Sequence, residues 1–517
     1  MNVAHMLDRL TGASRTIDPD KVALIFDTEQ RWTYRKLDEV SNRYCNSLIE
    51  LGVKKGDRVG ILLYNSLEYW ALYFAIAKLG AIAVRLNFRL SSEEFRFLLN
   101  DSGTKILCFH SSLKNVLHPI KDEVSVEEYI SLDYEEVPGP EWALGWDVLN
   151  RGSTKLELNA SIDITDPVML MYTSGTTGRP KGAMWSHSNT LWFCSMQIMK
   201  WGIHDKTIVM TTGPLYHVGA MEDFALPTLL AGGTIIIMKS GDFRIEHALG
   251  IAEQEKATDI MFFPFMIYEM LHKTTEHDYP LKHLQTIYSG GDPVRPWAID
   301  QLQKRYSQMG LVQVYGLTEG TPIGTSLDGK DAKEKGHTVG KPLPMAEVKV
   351  VNEQGQDVPH GEVGEICIKS PVVCTGYWNR PDANAVTFVD GWCLTGDLGK
   401  IDEDGFLIVS GRKKDMIRSG GENIYAAEIE NVLMHHPDIS DVAVIGIPDP
   451  KYIEAVCAVI IIKENSNITE HDVVHYCKEH LASYKKPKKV YFVDHIPRTA
   501  SGKIQKYKLR EEYKEKV

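Results

Sequence analysis

Short apolar runs alternate with amphipathic stretches from residue 22 to about 330. KVALIF at 21–26 predicts a strand, Thr33 can cap the helix that follows, and RVGILL at 58–63 predicts the next strand. The apolar face of that helix is formed by Leu37, Val40, Tyr44, Leu48 and Leu51. Because doubly wound folds alternate strands and helices in this way, we predict a parallel α/β body.

Between about 345 and 410 the pattern changes to short alternating runs. AEVKVV, EVGEICIK and GFLIVS are separated by the turn signals NEQG, PHG and DEDG. Alternation with period two and polar turns is typical of antiparallel β-structure. The segment is therefore predicted to form a small β-barrel or sheet.

After GRKKD the pattern predicts a compact α+β unit. Helices are expected at 426–434 and 473–481, and strands at DVAVIGI, AVCAVIII and KVYFV. The charged, glycine-flanked junction before this unit is typical of a hinge. We therefore predict an N-terminal domain over 1–411, β-rich at about 340–410, and a small C-terminal domain over 412–517.

The segment YTSGTTGRPKGAMWSH at 172–187 carries the clearest candidate chemistry. Five small residues, 174–178, offer backbone N–H groups and hydroxyls that can surround a polyphosphate, and Lys181 adds a positive charge. A Walker A loop needs Gly-Lys-Ser/Thr, whereas Pro180 precedes this lysine and Gly182 follows it. The segment is thus predicted to be a different phosphate loop, with an ordinary Gly/Ser linker as the alternative.

This segment resembles the phosphate-loop signature of the adenylate-forming superfamily, which includes acyl-CoA synthetases, peptide-synthetase adenylation domains and beetle luciferases. The resemblance continues in order through GAIAVRLNFRL at 80–90, YGLTEG at 315–320, GWCLTGD at 391–397, GRKKDMIRSGGENIYAAEIE at 411–430 and PRTASGKIQK at 497–506. It covers nearly the whole chain. It implies that a carboxylate reacts with ATP to give an acyl-adenylate and diphosphate. It also implies that the acyl group then passes to a thiol, after a small, mobile C-terminal domain has rotated.

The resemblance also implies roles for individual residues. The implied nucleotide site consists of Thr173, Ser174, Gly175, Thr176, Thr177, Gly178, Lys181, Gly290, Gly291, Asp292, Tyr315, Gly316, Thr318, Asp397 and Arg412. Gly420 and Gly421 are expected to line the path of the pantetheine arm of coenzyme A, where a side chain would block a thin ligand. Lys414 occupies the position of the family's hinge residue.

Five of the implied roles concern individual side chains with a definite chemistry. The Glu319 carboxylate is a ligand that Mg²⁺ prefers, and Thr318 beside it can donate to the α-phosphate. Asp397 can accept hydrogen bonds from both ribose hydroxyls. The Lys503 ammonium can offset charge in the transition state, and His217 is expected at the carboxylate end of the acyl pocket. Three of these residues also have an ordinary alternative: a surface carboxylate for Glu319, a turn residue for Asp397 and a packing histidine for His217.

Composition limits the partners. The chain of 517 residues has 43% hydrophobic and 24% charged residues and a formal net charge of -12, which argues against nucleic acid as a partner. Eight scattered cysteines without a Cys-x-x-Cys pair favour free thiols in a reducing cytosol. No signal peptide and no membrane-spanning run is recognisable. We expect a cytoplasmic enzyme that uses ATP, Mg²⁺, coenzyme A and a small carboxylic acid; a homodimer and peripheral membrane contact are compatible with these properties.

The identity of the acid is open to several interpretations. Residues expected to line its pocket are Val218, Gly219, Glu222, Phe263, Phe265, Met266, Tyr288, Val314, Pro322 and Ile323. Mostly apolar walls favour an alkyl or aryl tail. A carboxylate buried beside an alkyl chain is costly, so Glu222 and Asp292 either point elsewhere or meet a polar or cationic tail such as a quaternary ammonium. A fatty acid is expected first, with a carnitine-like betaine or an aryl acid as the alternatives. A free-standing CoA ligase fits better than a peptide-synthetase domain, a luciferase or a non-catalytic acyl- or nucleotide-binding protein. Two residues depart from the family pattern: Arg85 stands where proline is common, and Ile453 where glycine is usual.

Overall fold

A computed structural model describes most of the chain, in two compact units. The described residues are 2–11, 17–156, 161–173, 180–241, 243–419, 422–450, 452–464, 466–498 and 504–514. The first unit comprises Met1–Val348 and Ile368–Leu394, and the second comprises Lys349–Cys367 and Thr395–Val517. The domain limit at residues 411 and 412 stays a prediction.

Two large sheets form the first unit, as the alternating pattern predicts. The nine-stranded sheet has the order Lys341–Pro342, Thr321–Leu327, Gly310–Leu317, Thr286–Gly290, Asp259–Met261, Ile208–Thr211, Thr234–Ile237, Val22–Phe26 and Gln30–Thr33. The seven-stranded sheet has the order Leu144–Gly145, Glu128–Leu132, Thr104–His110, Arg58–Leu62, Ile82–Arg85, Pro167–Thr173 and Lys181–Ser186. The interior strands pair in parallel, and antiparallel pairs lie at the edges.

The helices of the first unit connect and cover these strands. The longer ones are Tyr34–Glu50, Leu67–Leu79, Ser92–Ser102, His187–Trp201, Ile245–Gln254, Pro264–Lys273 and Pro296–Arg305. The shorter ones are Met6–Thr11, Lys114–Leu117, Val218–Met221, Ala225–Leu230, Ala332–Lys335 and Pro381–Thr387. Short 3₁₀ helices occupy Val3–His5, Ser111–Leu113, His118–Ile120 and Trp146–Asn150.

Local sequence explains why these elements begin and end where they do. The Thr33 hydroxyl accepts a hydrogen bond from the backbone N–H of Lys36 at 3.1 Å, so it caps the first long helix as predicted. Gly80 ends the helix Leu67–Leu79 with φ +76°, a conformation that glycine adopts without strain. The strand Thr234–Ile237 is buried along its whole length, because parallel strands are covered on both faces.

The β-rich segment forms a five-stranded sheet. Its strands are Glu347–Val351, Gly364–Lys369, Phe388–Val389, Trp392–Ile401 and Leu407–Arg412. The strand Trp392–Ile401 pairs antiparallel with Leu407–Arg412. The predicted antiparallel structure is thus present.

The second unit also contains an α+β element of the predicted kind. Its sheet consists of Glu422–Tyr425, Met416–Ser419, Ile453–Ile462, Ile439–Asp449 and Lys489–Phe492, with helices Ala426–Met434, Glu470–His480 and Lys506–Tyr513 and 3₁₀ helices Lys413–Asp415 and Ser483–Lys485. The predicted α/β class with a small α+β C-terminal part is confirmed. No helix among the described residues is long and apolar enough to cross a membrane.

Candidate active site

The phosphate loop joins two paired strand ends. In the antiparallel pair formed by Pro167–Thr173 and Lys181–Ser186, Thr173 lies opposite Lys181. Lys181 therefore begins a strand and not a helix, which agrees with the exclusion of a Walker A loop. Its ammonium lies 4.7 Å from the centroid of the Tyr377 ring, within the range of a cation–π contact. The residues Ser174, Gly175, Thr176, Thr177 and Gly178 lie outside the described residues.

The Glu319 carboxylate lies beside the end of this strand pair. Its Oε1 accepts hydrogen bonds from the Thr173 hydroxyl at 2.7 Å and from the Tyr377 hydroxyl at 3.1 Å. Burial raises the pKa of Tyr377 well above its usual range, and the Glu319 charge raises it further, so this hydroxyl keeps the proton that it donates. Glu319 is 9% exposed and receives hydrogen bonds from neutral donors.

Glu319 lies in a turn that is anchored on both sides. The turn connects the strands Gly310–Leu317 and Thr321–Leu327. The Trp185 indole N–H donates to the Thr318 carbonyl at 3.0 Å, and the Cys374 N–H donates to the Glu319 carbonyl at 2.9 Å. The turn is therefore held at two successive carbonyl groups, which fixes the place of the Glu319 side chain.

The glycine at position 316 has a steric reason. A Cβ atom at Gly316 would lie 2.0 Å from the Thr321 carbonyl oxygen and 2.5 Å from that of Pro322. Both obstacles are backbone atoms, so no side-chain rotation relieves the clash. Gly316 therefore allows the two strands to approach closely just before the Glu319 turn.

Further candidate residues follow neighbouring parallel strands. Gly290 lies opposite Val314 in the sheet, so Gly291 and Asp292 emerge beside the half-buried Tyr315. Ligands of open α/β sheets bind outside the carboxyl ends of the strands, where these residues lie. Asp292 is exposed, so its carboxylate does not carry the free-energy cost of a buried charge.

The donor set around Glu319 fits magnesium better than a transition metal. Among the residues that the structure describes, no group of three His, Cys, Asp or Glu side chains could hold a metal ion. Across the same residues, no Lys or Arg forms an ion pair with Glu319. Mg²⁺ is commonly held by one or two carboxylates together with substrate phosphates. A single buried carboxylate without a cationic partner in this part of the chain fits that arrangement.

The second unit contains a separate pair of candidate residues. Asp397 and Arg412 are cross-strand neighbours, and Arg412 Nε lies 3.0 Å from Asp397 Oδ1. The carboxylate is buried, whereas the Arg412 side chain is 43% exposed. The strand pairing brings an acceptor and a planar donor together, and their ion pair fixes the direction of both side chains. Burial lowers the pKa of the nearby Lys414, although Asp415 opposes this effect.

His217 lies in a turn that is held by hydrogen bonds with the side chains of Asn65 and Arg85. Its Nδ1 accepts a hydrogen bond from the Gly219 N–H at 3.0 Å and so caps the short helix Val218–Met221. Glu222, at the end of this helix, forms an ion pair with Arg85, and both side chains are 0% exposed. The charge of Glu222 is thus compensated by Arg85, a residue of the same chain. Both residues are unusual at their positions in the sequence, but no motif indicates that they pair.

Three further predicted residues cannot be placed. Gly420, Gly421 and Lys503 lie outside the described residues. Tyr377 is a further residue around Glu319 that no motif in the sequence indicates, because its contact with Glu319 arises only through the fold. The structure therefore describes two separate groups of candidate residues: those around Glu319 in the first unit, and the Asp397–Arg412 pair in the second.

Comparison with known proteins supports the same interpretation. Residues 13–378 match the family model described as AMP-binding enzyme, and residues 428–503 match the AMP-binding enzyme C-terminal domain. An indoleacetate–CoA ligase from Aromatoleum aromaticum is 34% identical over 511 residues, which are 99% of this chain and 98% of that protein. A long-chain-fatty-acid–CoA ligase from Mycobacterium tuberculosis is 35% identical over 490 residues, 94% of each chain.

A solved structure shows the same fold. The o-succinylbenzoate CoA synthetase from Bacillus subtilis, in complex with its acyl-adenylate intermediate, superimposes with a TM-score of 0.86 at 30% identity and covers 98% of both chains. Enzymes of this kind use ATP, Mg²⁺ and coenzyme A. The matched family models, the near-complete coverage and the geometry around Glu319 lead to one conclusion: the chain belongs to the AMP-binding enzymes of the adenylate-forming superfamily and is an AMP-forming acid–thiol ligase.

Proposed function

We propose that this ATP-dependent acid–CoA ligase acts on a fatty acid. The observation that supports the proposal most directly is the Arg85–Glu222 pair. Glu222 is the one acidic residue in the predicted pocket lining, and its charge is compensated within the protein. Met266, Tyr288 and Ile323 belong to the predicted lining and are buried. A mainly apolar lining would favour an alkyl tail by about 0.8 kcal/mol per buried methylene.

An aryl acid is the second candidate. The 34% identical relative named for indoleacetate covers 99% of this chain, so an aromatic tail is compatible with a closely related pocket. A carnitine-like betaine has less support, because the Glu222 carboxylate that could meet a quaternary ammonium already pairs with Arg85.

The first half-reaction joins the acid to AMP. A carboxylate oxygen forms a bond to the α-phosphorus of ATP while the bond from that phosphorus to the diphosphate breaks. In our proposal the phosphate loop and Lys181 hold the outer phosphates, Thr318 donates to the α-phosphate, and Tyr315 contacts adenine. Glu319 holds Mg²⁺, which when bound neutralises phosphate charge.

The remaining residues are assigned by the same proposal. Asp397 and Arg412 bind the ribose, His217 contacts the carboxylate end of the acid, and the Lys503 ammonium stabilises the transition-state charge. In the second half-reaction the thiol sulfur of coenzyme A, having lost its proton, attacks the acyl carbon and AMP leaves. Gly420 and Gly421 line the thiol path once a C-terminal domain over 412–517 has rotated. The cytoplasmic location also stays a prediction.

A substrate panel tests the choice of acid. Thioester formation is measured with octanoate, palmitate, benzoate, indoleacetate and carnitine under identical ATP, Mg²⁺ and coenzyme A. We expect the highest kcat/KM with a fatty acid and almost none with carnitine. A higher kcat/KM with benzoate or indoleacetate than with both fatty acids would show that the enzyme is an aryl-acid ligase.

Replacing Lys503 tests the proposed order of steps. Lys503→Ala should lower acid-dependent diphosphate exchange by on the order of 10² to 10³, because one stabilising cation is removed from the transition state. Thioester formation from supplied acyl-adenylate should fall far less. If exchange stays within tenfold of the wild-type rate, Lys503 does not have this role.

A further inference from the structure

The Arg85 guanidinium contacts three points of one turn. Arg85 is the last residue of the strand Ile82–Arg85, at the carboxyl end of a parallel strand. It donates to the carbonyl oxygens of Leu215 and, at 3.4 Å, His217, and to the carboxylate of Glu222. These acceptors span residues 215–222, so a single side chain connects the start, the middle and the end of the turn that carries His217.

The same turn has a second, separate anchor at its entry. The Asn65 carboxamide oxygen accepts from the Leu215 N–H at 2.8 Å, and its amide group donates to the Gly213 carbonyl at 2.9 Å. Asn65 thus holds the chain that leads into the turn. Beyond Leu215, Arg85 reaches the turn from the seven-stranded sheet. Other side chains also contact the turn: Gln197 donates to the Glu222 carbonyl at 2.9 Å, and Arg89 donates to the Tyr216 hydroxyl at 3.1 Å.

Because both side chains are fully buried, Arg85 and Glu222 each depend on the other for charge compensation. Removing one partner leaves the other as an uncompensated buried charge, which is strongly destabilising. The neighbouring Asp223 is also buried, and burial raises the pKa of its carboxyl well above the usual range. Burial also raises the pKa of the Glu222 carboxyl, and the adjacent Arg85 guanidinium opposes this effect. Of the two carboxyls, Glu222 is the one that the Arg85 side chain contacts directly.

We propose that Arg85 is a positioning residue for the acid: with Glu222 as its counterion, it fixes the turn that presents His217 to the substrate carboxylate. The inference rests on the proposed role of His217. The two unusual residues act together: Arg85 donates hydrogen bonds to the backbone of the turn, and Glu222 compensates the charge of Arg85. Arg85 itself does not contact the reacting atoms.

A second buried pair of the same unit provides a matched control. The Lys78 side chain is fully buried and pairs with Asp38 at 2.5 Å, with further hydrogen bonds to Ser41 at 2.8 Å and Asn42 at 2.6 Å. Its partners all lie on the helix Tyr34–Glu50. Lys78→Met should therefore destabilise the unit as Arg85→Met does without touching the His217 turn.

The test combines single and double variants. Arg85→Met, Glu222→Gln, the double variant and Lys78→Met are compared for Tm, for acid KM and for ATP KM in acid-dependent diphosphate release, with the best acid of the panel. We expect Arg85→Met to raise the acid KM at least tenfold and the ATP KM less than twofold. The double variant should recover Tm relative to Arg85→Met, because no buried charge lacks a partner, but its acid KM should stay high.

Other results would overturn the inference. If the double variant recovers the wild-type acid KM, or if Lys78→Met raises the acid KM equally, Arg85 acts only on stability. Where Arg85→Met does not fold, Arg85→Lys keeps the charge but cannot reach three acceptors, and an unchanged acid KM in that variant contradicts the inference. A wild-type enzyme that releases no diphosphate with any acid refutes the proposed function instead.

Discussion

The two units place their chemically important residues in different surroundings. In the first unit, Glu319 is buried among hydroxyl donors and Arg85 is fully buried against Glu222. In the second unit, the Arg412 side chain is 43% exposed, and Ile453 is 75% exposed with φ +74°. The first unit therefore encloses its groups by packing and hydrogen bonding, whereas in the second the buried Asp397 carboxylate is paired with a donor that is partly exposed.

The two departures from the family pattern show the same difference. Arg85 is compensated by a residue 137 positions away in sequence, so its charge is stabilised. Ile453 is a β-branched residue in the left-handed region, where glycine is favoured, and its exposed side chain gains little from packing. A departure inside the first unit thus has become part of the structure, whereas the departure in the second leaves local strain.

The largest effect is expected at Glu319. Glu319→Gln removes the buried carboxylate but keeps its shape, so acid-dependent diphosphate release should fall by on the order of 10² or more. The apparent Mg²⁺ requirement should rise at the same time. Glu255→Gln, which removes a mostly buried carboxylate paired with Arg31 elsewhere in the first unit, serves as control. A Glu319→Gln enzyme within fivefold of the wild type at ordinary Mg²⁺ would show that the buried centre is structural.

The second-largest effect is a loss of stability, expected at Gly316 just before the Glu319 turn. Gly316→Ala places a Cβ atom 2.0 Å from the Thr321 carbonyl oxygen and should lower the free energy of unfolding by roughly 3 kcal/mol or more. Gly310→Ala in the same strand is the control, since its Cβ would lie 3.8 Å from the nearest atom. Urea unfolding measures both variants. Equal, small losses would mean that the first unit is less tightly packed at this point than the geometry indicates.

A smaller effect is expected at the surface of the second unit. Arg412→Ala should raise the ATP KM about tenfold, because one charge-assisted donor to the ribose is lost and Asp397 loses its ion pair. The neighbouring Lys413, 52% exposed and paired with Glu365, is the matched control. Steady-state kinetics with varied ATP distinguish the two. An equal change in Lys413→Ala would assign the effect to surface charge in general.

The smallest effect is a gain in stability. Ile453→Gly relieves a positive φ that costs about 1–3 kcal/mol in a non-glycine residue, while glycine makes the unfolded chain more flexible by up to about 1 kcal/mol. The net gain in the free energy of unfolding should be about 1 kcal/mol. Ile453→Ala, which keeps a Cβ atom, should gain less. A loss of stability in Ile453→Gly would show that the side chain contributes contacts that outweigh the strain.

Local pattern in the sequence predicts much of this fold. The Thr33 cap, the strand at 22–26 and the antiparallel pairing of Trp392–Ile401 all follow from periodicity and turn residues close in sequence. The order of strands in the two large sheets does not, because partners such as Val22–Phe26 and Thr234–Ile237 lie about 200 residues apart.

The site shows the same limit. Motifs located Thr173, Glu319, Asp397 and Arg412, since each belongs to a short segment with its own chemistry. They did not predict the hydrogen bond from Tyr377 to Glu319 or the ion pair between Arg85 and Glu222, which join distant segments. For Arg85 and Glu222 the sequence did offer a signal, since each is a charged residue in an otherwise apolar segment. Two such residues of opposite charge indicate a buried ion pair.

The central claim is that the chain activates a carboxylic acid by joining it to AMP before thioester formation. Its most direct test follows all products from labelled ATP, with and without acid and coenzyme A. We predict that acid alone releases diphosphate, and that coenzyme A then gives one AMP for each thioester. Formation of ADP and phosphate, or the absence of diphosphate with every acid of the panel, would contradict the claim.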